Sequence, residues 1–394
     1  MDFSFTKDEE CFRNEVIDFI NEYPTNKFKV ELQNNGLGWG AGSSEYTRLL
    51  GKKGWISMTW PKEYGGQNRD LKYRYILMEE LAYHRAPQAF NAFNYSVGGS
   101  IILHGTEKQK KTFLPKIGSG EIIFCTALSE PDAGSDLFGT ETLAERKENE
   151  FVLNGKKIWT TQAHLSDWVL LLARTRGEKS SKSVGLSTFL VDLKSPGITI
   201  SPIPNIAKDE EFCEIFLDDV HVPAENILGE ENQGLPVVFE SLEEDRFWLR
   251  AVRPAASKRD LEDLVKYTRE TKSDGKRLAD NPRIRCTLIE LACEIEACRL
   301  LTYKVLWKLG QEMKLTHEAS MIKVLADHIG QNIADLGLDC IGGKGWVRQG
   351  DDLSALGGYL AQMYCYSPGY TIGGGTTEIQ KLTIASRGLK LPKL

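Results

Sequence analysis

No two cysteines in this chain stand at C-x-x-C spacing. Cys11, Cys125, Cys213, Cys286, Cys293, Cys298, Cys340 and Cys365 are scattered singly. That excludes a disulfide framework or a zinc ribbon and predicts reduced, mostly buried thiols. The six histidines are equally dispersed and no HExxH appears, so no metal is expected. Long apolar runs are missing too. Trp168-Val-Leu-Leu-Leu-Ala173 is typical, far short of the roughly 20 residues of a membrane span. The first ten residues, Met1-Asp-Phe-Ser-Phe-Thr-Lys-Asp-Glu-Glu10, lack the basic head and apolar core of a signal peptide. A cytoplasmic location is therefore expected. There is no basic excess either. With 49 basic and 55 acidic residues the net charge is −6, which argues against a nucleic-acid partner.

What remains is an ordinary globular composition. The 394 residues are 41% hydrophobic and 26% charged, enough for two or three domains. Residues 1–121 read as helical. Phe12, Val16, Phe19 and Ile20 recur at helical spacing, as do Tyr73, Ile76, Leu77 and Leu81. Loops are expected at 34–38 and 61–66. Residues 122–232 change character. Short apolar or β-branched runs at 122–128, 151–155, 168–174, 187–193, 198–202 and 212–220 are separated by Gly, Asn and Pro turns. That spacing predicts a small β-barrel or sandwich. Residues 233–394 are helical again, with long periodic stretches at 261–270, 283–309 and 318–338. The small and large apolar residues Ala292, Ile295, Ala297, Leu300 and Leu301 alternate as in a tightly packed bundle. The reading is an α+β protein in three domains: N-terminal helical, middle β-barrel or sandwich, and C-terminal four-helix bundle.

Four segments invite chemistry. Ser129-Glu-Pro-Asp-Ala-Gly-Ser-Asp136 follows a strand and offers backbone N–H groups and hydroxyls to an anion; an ordinary Pro/Gly turn explains it as well. In Lys156-Lys-Ile-Trp-Thr-Thr161, Trp159 suits stacking on a flat ring, or burial in a barrel core. Ile341-Gly-Gly-Lys-Gly345 reads alone as a helix cap and loop, being neither a Walker A nor a GxGxxG fingerprint. Gly373-Gly-Gly-Thr-Thr-Glu378 precedes a terminal helix at 379–387. It is either an anion site or a flexible turn.

Taken in this order, the segments resemble the acyl-CoA dehydrogenase family over essentially the whole chain. Ser129–Asp136 is similar to the family's TEPGAGSD segment and Lys156–Thr161 to its K-x-W-I-T segment. Val220-His-Val-Pro223 with Asn226-Ile-Leu-Gly229 is similar to the segment that closes the family's β-domain. Residues 341–346 resemble its GGxGY loop, and Gly375-Thr-Thr-Glu-Ile-Gln380 its GTxEIQ motif. The resemblance implies FAD as cofactor and an acyl-CoA as substrate. It implies Thr126, Leu128 and Ser129 beside the isoalloxazine ring, Trp159 and Thr161 at its edge, and Ser135 at both cofactor and CoA thioester arm. It also implies Gly342, Gly343, Thr376 and Glu378 on the pyrophosphate and adenosine. It further implies an electron-transferring flavoprotein as redox partner, and a dimer of dimers or homotetramer.

The chain departs from that pattern at the base. Many members carry a Glu immediately before the GT of the last motif; here that position, lining the substrate site, is Gly374. Other members carry the base on the first helix after the β-domain, where the matching residue is Asp245. Independently, Val238, Leu242, Asp245, Leu249 and Val252 share one helix face, so Asp245 interrupts an apolar stripe. Desolvation there would raise its pKa, as a base for a weak carbon acid requires. The alternative is an ion pair with Arg246 or a neighbouring subunit. Asp is shorter than Glu by one bond, roughly 1.5 Å. Glu243 suits a solvated face or a CoA contact, and Arg246 the substrate. Two cofactor positions also differ: Thr271 stands where an Arg is usual and Asp339 where a Gln is usual. The stretch 269–282 resembles a bacterial subgroup acting on bulky or ring-bearing CoA thioesters, some as two-chain assemblies. The expected activity is therefore α,β-dehydrogenation, or the reverse reduction, of a branched, aromatic or alicyclic acyl-CoA. A non-catalytic partner subunit of a hetero-oligomer and non-oxidative CoA-thioester chemistry are the alternatives.

Overall fold

Helices occupy both ends of the chain and one sheet its middle. The computed structural model describes residues 3–24, 41–87, 89–175, 185–347 and 354–392; at 41, 89–91 and 241–246 it describes the backbone alone. The loop expected at 34–38 lies outside the described residues. By contacts the chain divides into two units. One comprises Met1–Lys29, Asp70–Ala86 and Arg246–Leu394, the other Val30–Arg69 and Pro87–Asp245.

The second unit holds the sheet. Helices α2 (Ala41–Lys52), α4 (Ala89–His104) and α5 (Glu107–Gly118) accompany eight strands. These are β1 (Phe124–Ala127), β2 (Leu143–Lys147), β3 (Glu150–Thr161), β4 (Trp168–Arg174), β5 (Leu186–Asp192), β6 (Ile198–Ile203), β7 (Phe212–Pro223) and β8 (Ile227–Leu228). The sheet order is β6-β7-β3-β2-β4-β5-β8, with β1 joined in parallel to β4. Phe151, Leu153, Val169, Leu171, Phe189, Val191, Ile215 and Val220 form its core. Strand β2 was not apparent in the sequence because Ala-Glu-Arg-Lys carries little strand propensity. It forms because Leu143–Lys147 pairs in register with Glu150–Asn154 across a short hairpin. Asn94 ties the helices to the sheet. Wholly buried, its amide accepts from Phe124 N at 2.9 Å and donates to Ile122 O at 2.9 Å. Strand β1 thereby enters the sheet at a fixed position.

The first unit is helical. Helix α1 (Lys7–Glu22) starts at a Thr6–Glu9 capping box and buries Phe12, Val16, Phe19 and Ile20. It packs on α3 (Leu71–Tyr83), where Arg13 bridges to Glu79 at 2.8 Å and to Glu80. Helix α6 (Gly234–Ala251) belongs to this unit only from Arg246 on, and is followed by α7 (Arg253–Glu270), α8 (Pro282–Gly310), α9 (Glu318–Ile341) and α10 (Tyr359–Tyr370). Helix α9 packs on α7, α8 and α10, and on the short α11 (Thr377–Thr383). The expected terminal helix is shorter than its periodicity suggested: α11 gives way to a π-type turn at Ile384–Gly388. Phe247 and Trp248 are packing residues, 1% and 4% exposed, and Trp248 lies under the Arg74 guanidinium. All eight cysteines are free. Four are buried, while Cys11, Cys286 and Cys293 are exposed, fewer buried thiols than the composition suggested. The exposed three occupy outward helix positions, where nothing demands burial. Among the described residues no helix is long and apolar enough to cross a membrane, and no cluster suits a metal ion.

Candidate active site

The sheet unit brings several of the expected residues together, and a buried ion pair does it. Lys157, on β3, is wholly buried. Its ammonium donates to Leu128 O at 3.1 Å and to Glu130 Oε1 at 2.7 Å. The Glu130 carboxylate also accepts Glu141 N at 2.6 Å and Thr142 N at 3.0 Å. Ile158 N donates to Ser129 O at 3.0 Å. The loop carrying Leu128 and Ser129 is thus clamped to the strand carrying Trp159. Burial pushes the Lys157 ammonium down to about 8, against the pull of Glu130, so it stays charged at neutral pH. Burial works against the Glu130 carboxylate, yet the Lys157 charge and the hydrogen bonds hold its pKa below the ordinary range. Both residues lie inside the segments singled out by sequence, but neither stood out. The sequence offered little signal, since Lys157 sits among exposed and half-buried neighbours at 154–156 and 158–159.

That carboxylate makes the clamp acid-sensitive in a defined direction. A pKa lowered on folding contributes stability above the unfolded value near 4.5, lost as pH falls through the folded value. Thermal scans between pH 6 and 3 should show a steep loss of stability below about pH 4.5. In Glu130→Gln the profile should be flatter; an unchanged slope would remove Glu130 from the account.

Trp159 is held in an unusual way. The β3–β7 ladder shifts register between Lys157 and Thr160, and Trp159 within the bulge has φ +61°. A left-handed conformation at a bulky residue costs on the order of 1–3 kcal/mol and clusters at functional sites. The indole is 57% exposed, and its one ring partner among the described residues is Phe212, near-perpendicular with centroids 6.1 Å apart. It is not the barrel-core Trp that the pattern also allowed. Thr161 is half-buried and pairs with Phe212. Among the described residues, Thr126 Oγ1, Thr160 Oγ1 and Gln162 Oε1 are buried and have no hydrogen-bond partner. Ser135 is exposed at the loop tip. Unsatisfied hydroxyls on a clamped corner beside an open indole suit a flat ring bearing hydrogen-bonding edges. An isoalloxazine fits that description.

The helical unit carries the two glycine segments. Gly342 caps α9 with φ +65°, and a Cβ at Gly342 or Gly343 would meet nothing within 4 Å. Their backbone is open to an approaching ligand. Asp339, an acid before this loop, is paired with Arg283 at 2.7 Å, which offsets its charge. At the other segment, Thr376 caps α11 through Ile379 N at 3.3 Å, and Glu378 is exposed. Gln380, wholly buried, donates to Gly374 O at 3.1 Å and Gly375 O at 3.3 Å. Arg250 Nη2 donates to Tyr370 O and Gly373 O, both at 3.3 Å. Two buried side chains therefore fix the Gly373–Gly375 loop, and Arg250 was not anticipated. The expected residues Glu243, Asp245 and Arg246 lie on α6, but their side chains are outside what the structure describes.

Acyl-CoA dehydrogenase N-terminal, middle and C-terminal domain models match residues 6–121, 125–220 and 232–389. Acyl-CoA dehydrogenase FadE26 of Mycobacterium tuberculosis is 31% identical, covering 100% of this chain and 99% of that one. The caffeyl-CoA reductase–Etf complex subunit CarC of Acetobacterium woodii is 30% identical over 98% of this chain and 99% of its own. The crystal structure of the ChsE4–ChsE5 complex from Mycobacterium tuberculosis superimposes with a TM-score of 0.90 at 30% identity, covering both chains fully. The three matched domains define a CoA-thioester oxidoreductase of α–β–α build. The chain belongs to the acyl-CoA dehydrogenase family, flavin-dependent oxidoreductases acting on the CH–CH bond of acyl-CoA thioesters.

Proposed function

We propose that this chain is an FAD-dependent enzyme that removes two hydrogens across Cα–Cβ of a branched, aromatic or alicyclic acyl-CoA, or adds them in reverse. Bound FAD supplies the acceptor for the hydride that leaves the β-carbon. Thr126, Leu128, Ser129, Trp159 and Thr161 hold the ring, while Gly342, Gly343, Thr376 and Glu378 receive the pyrophosphate and adenosine. Asp245 takes the α-proton, leaving the α,β-unsaturated thioester. Gly374 has no side chain to do so. Ser135, Glu243 and Arg246 contact the CoA thioester. The observation that carries this reading is the strained, exposed Trp159 beside the clamped Leu128–Glu130 loop. The relatives named for an Etf complex and for a two-chain complex support an electron-transferring flavoprotein as partner and an oligomer of like or unlike chains.

The test is direct. Purified protein should carry a flavin absorbance near 450 nm, and one member of a panel of such thioesters should bleach it without oxygen. A protein that takes up no flavin would instead be a non-catalytic partner subunit. A further result is expected at Trp159. Trp159→Asn keeps the left-handed backbone at lower strain. It should raise the melting temperature of flavin-free protein by a few degrees while weakening flavin binding about tenfold, as expected for one aromatic contact. If flavin affinity is unchanged, the indole is not at the ring.

A further inference from the structure

The loop between β6 and β7 is wired to the corner that carries Trp159. Asn205 closes it. Its side chain accepts from Asp209 N at 3.0 Å, its N–H donates to Asp209 O at 2.9 Å, and its carbonyl accepts from Lys208 N at 2.9 Å. Glu211 O then accepts Gln162 N at 2.7 Å, while Phe212 pairs with Thr161 and meets the Trp159 ring. Lys208 and Gln162 have φ +61° and +55°, and Trp159 shares that left-handed conformation. Strain of this kind persists only where the surroundings over-determine the backbone.

Asp209 lies inside this wiring. It is 1% exposed, and its Oδ2 has no hydrogen-bond partner among the described residues. Burial pushes its pKa up to about 6, although the N–H groups of Glu210 and Glu211 favour the ion. The charged group that acts on it is Glu210, a like charge. Lys208 and Glu210, on either side, are exposed, and Glu211 is buried. His164, exposed on the turn after β3 and 3.1 Å from Cys213 Sγ, lies in the field of Glu210. A carboxyl whose pKa is raised on folding supports the fold below that value and opposes it above, because the buried ion is costly. Ionisation of Asp209 therefore loosens the loop that holds Gln162.

We propose that Asp209 is a positioning residue for the flavin edge: neutral, it seats the 205–211 loop and, through Glu211 O, residues 159–162; ionised, it releases both. This rests on the flavin reading above and adds a pH-sensitive seat to it. Flavin selects the seated corner, so binding draws a proton onto Asp209 near neutral pH. The test measures FAD binding to flavin-free protein by calorimetry between pH 5.5 and 7.5. Wild type should bind about tenfold more weakly at the upper end, with proton uptake read from buffers of different ionisation enthalpy. Asp209→Asn, which has the shape of the neutral carboxyl, should bind at every pH as wild type does at pH 5.5 and take up no proton. Merely structural damage would instead weaken binding at every pH. His164→Gln should keep the wild-type slope, and it decides the matter if Asp209→Asn does not fold. A second readout needs no flavin. Hydrogen exchange of the 158–164 segment, corrected for the intrinsic pH dependence of exchange, should lose about tenfold in protection over the same range in wild type and none in Asp209→Asn. An FAD affinity that does not change with pH, a slope that survives in Asp209→Asn, or one that vanishes in His164→Gln overturns the proposal and leaves the flavin reading intact. A protein that takes up no FAD yet shows the pH-dependent protection defeats the flavin reading and leaves the Asp209 seat standing; without that protection both fall.

Discussion

Lys157→Met should destabilise the protein by about 3–5 kcal/mol, the cost of removing one partner from a buried pair. The Glu130 carboxylate would keep its two backbone donors, Glu141 N and Thr142 N, but lose its cation in a site where Lys157 is wholly buried. Leu128 O would lose its donor at the same time. For a unit of this size such a loss lowers the melting temperature by on the order of 10 °C. The double variant Lys157→Met/Glu130→Gln should recover a large part of it, because no uncompensated charge remains. A calorimetric scan of the three proteins checks this. If Lys157→Met melts within a degree or two of wild type, the pair does not hold the loop.

The second large effect is at Asp245. Asn keeps the shape and removes the proton acceptor, so Asp245→Asn should slow flavin reduction by about 10²–10⁴-fold, the usual worth of a general base. The melting temperature and flavin content should stay near wild type. Asp245 lies on α6, whose flanking stripe residues Val238 and Leu249 are buried and half-buried. Gly374, in the loop held by Arg250 at Gly373 O and by Gln380 at Gly374 O, carries no acid. A general effect on folding would move stability and flavin binding together, which separates the two explanations.

The outline of the fold was legible because its periodicities are strong. Strands at 168–174 and 198–203 and helices at 282–310 and 318–341 fall close to the runs of apolar residues that announce them. The site was legible in part, and the failures have physical causes. Lys323 and Asp327 stand four residues apart, a spacing that reads as a solvated ion pair; in the fold both are buried. Nothing local distinguishes the two cases, since burial is decided by α9 packing among its neighbours. Trp159 was visible as an aromatic, but its left-handed backbone depends on the register shift against β7, a long-range property. Glu130 and Lys157 are 27 residues apart, and their pairing exists only once β1 and β3 lie in one sheet.

The proposed chemistry can be tested in one observation. Flavin-loaded wild type and Asp245→Asn are mixed without oxygen with the best bleaching acyl-CoA of the panel, and the 450 nm band is followed in time. The account predicts rapid bleaching in wild type and bleaching slower by at least about a hundredfold in the variant, with thioester affinity retained. Equal rates in the two proteins would contradict it and take the base away from Asp245.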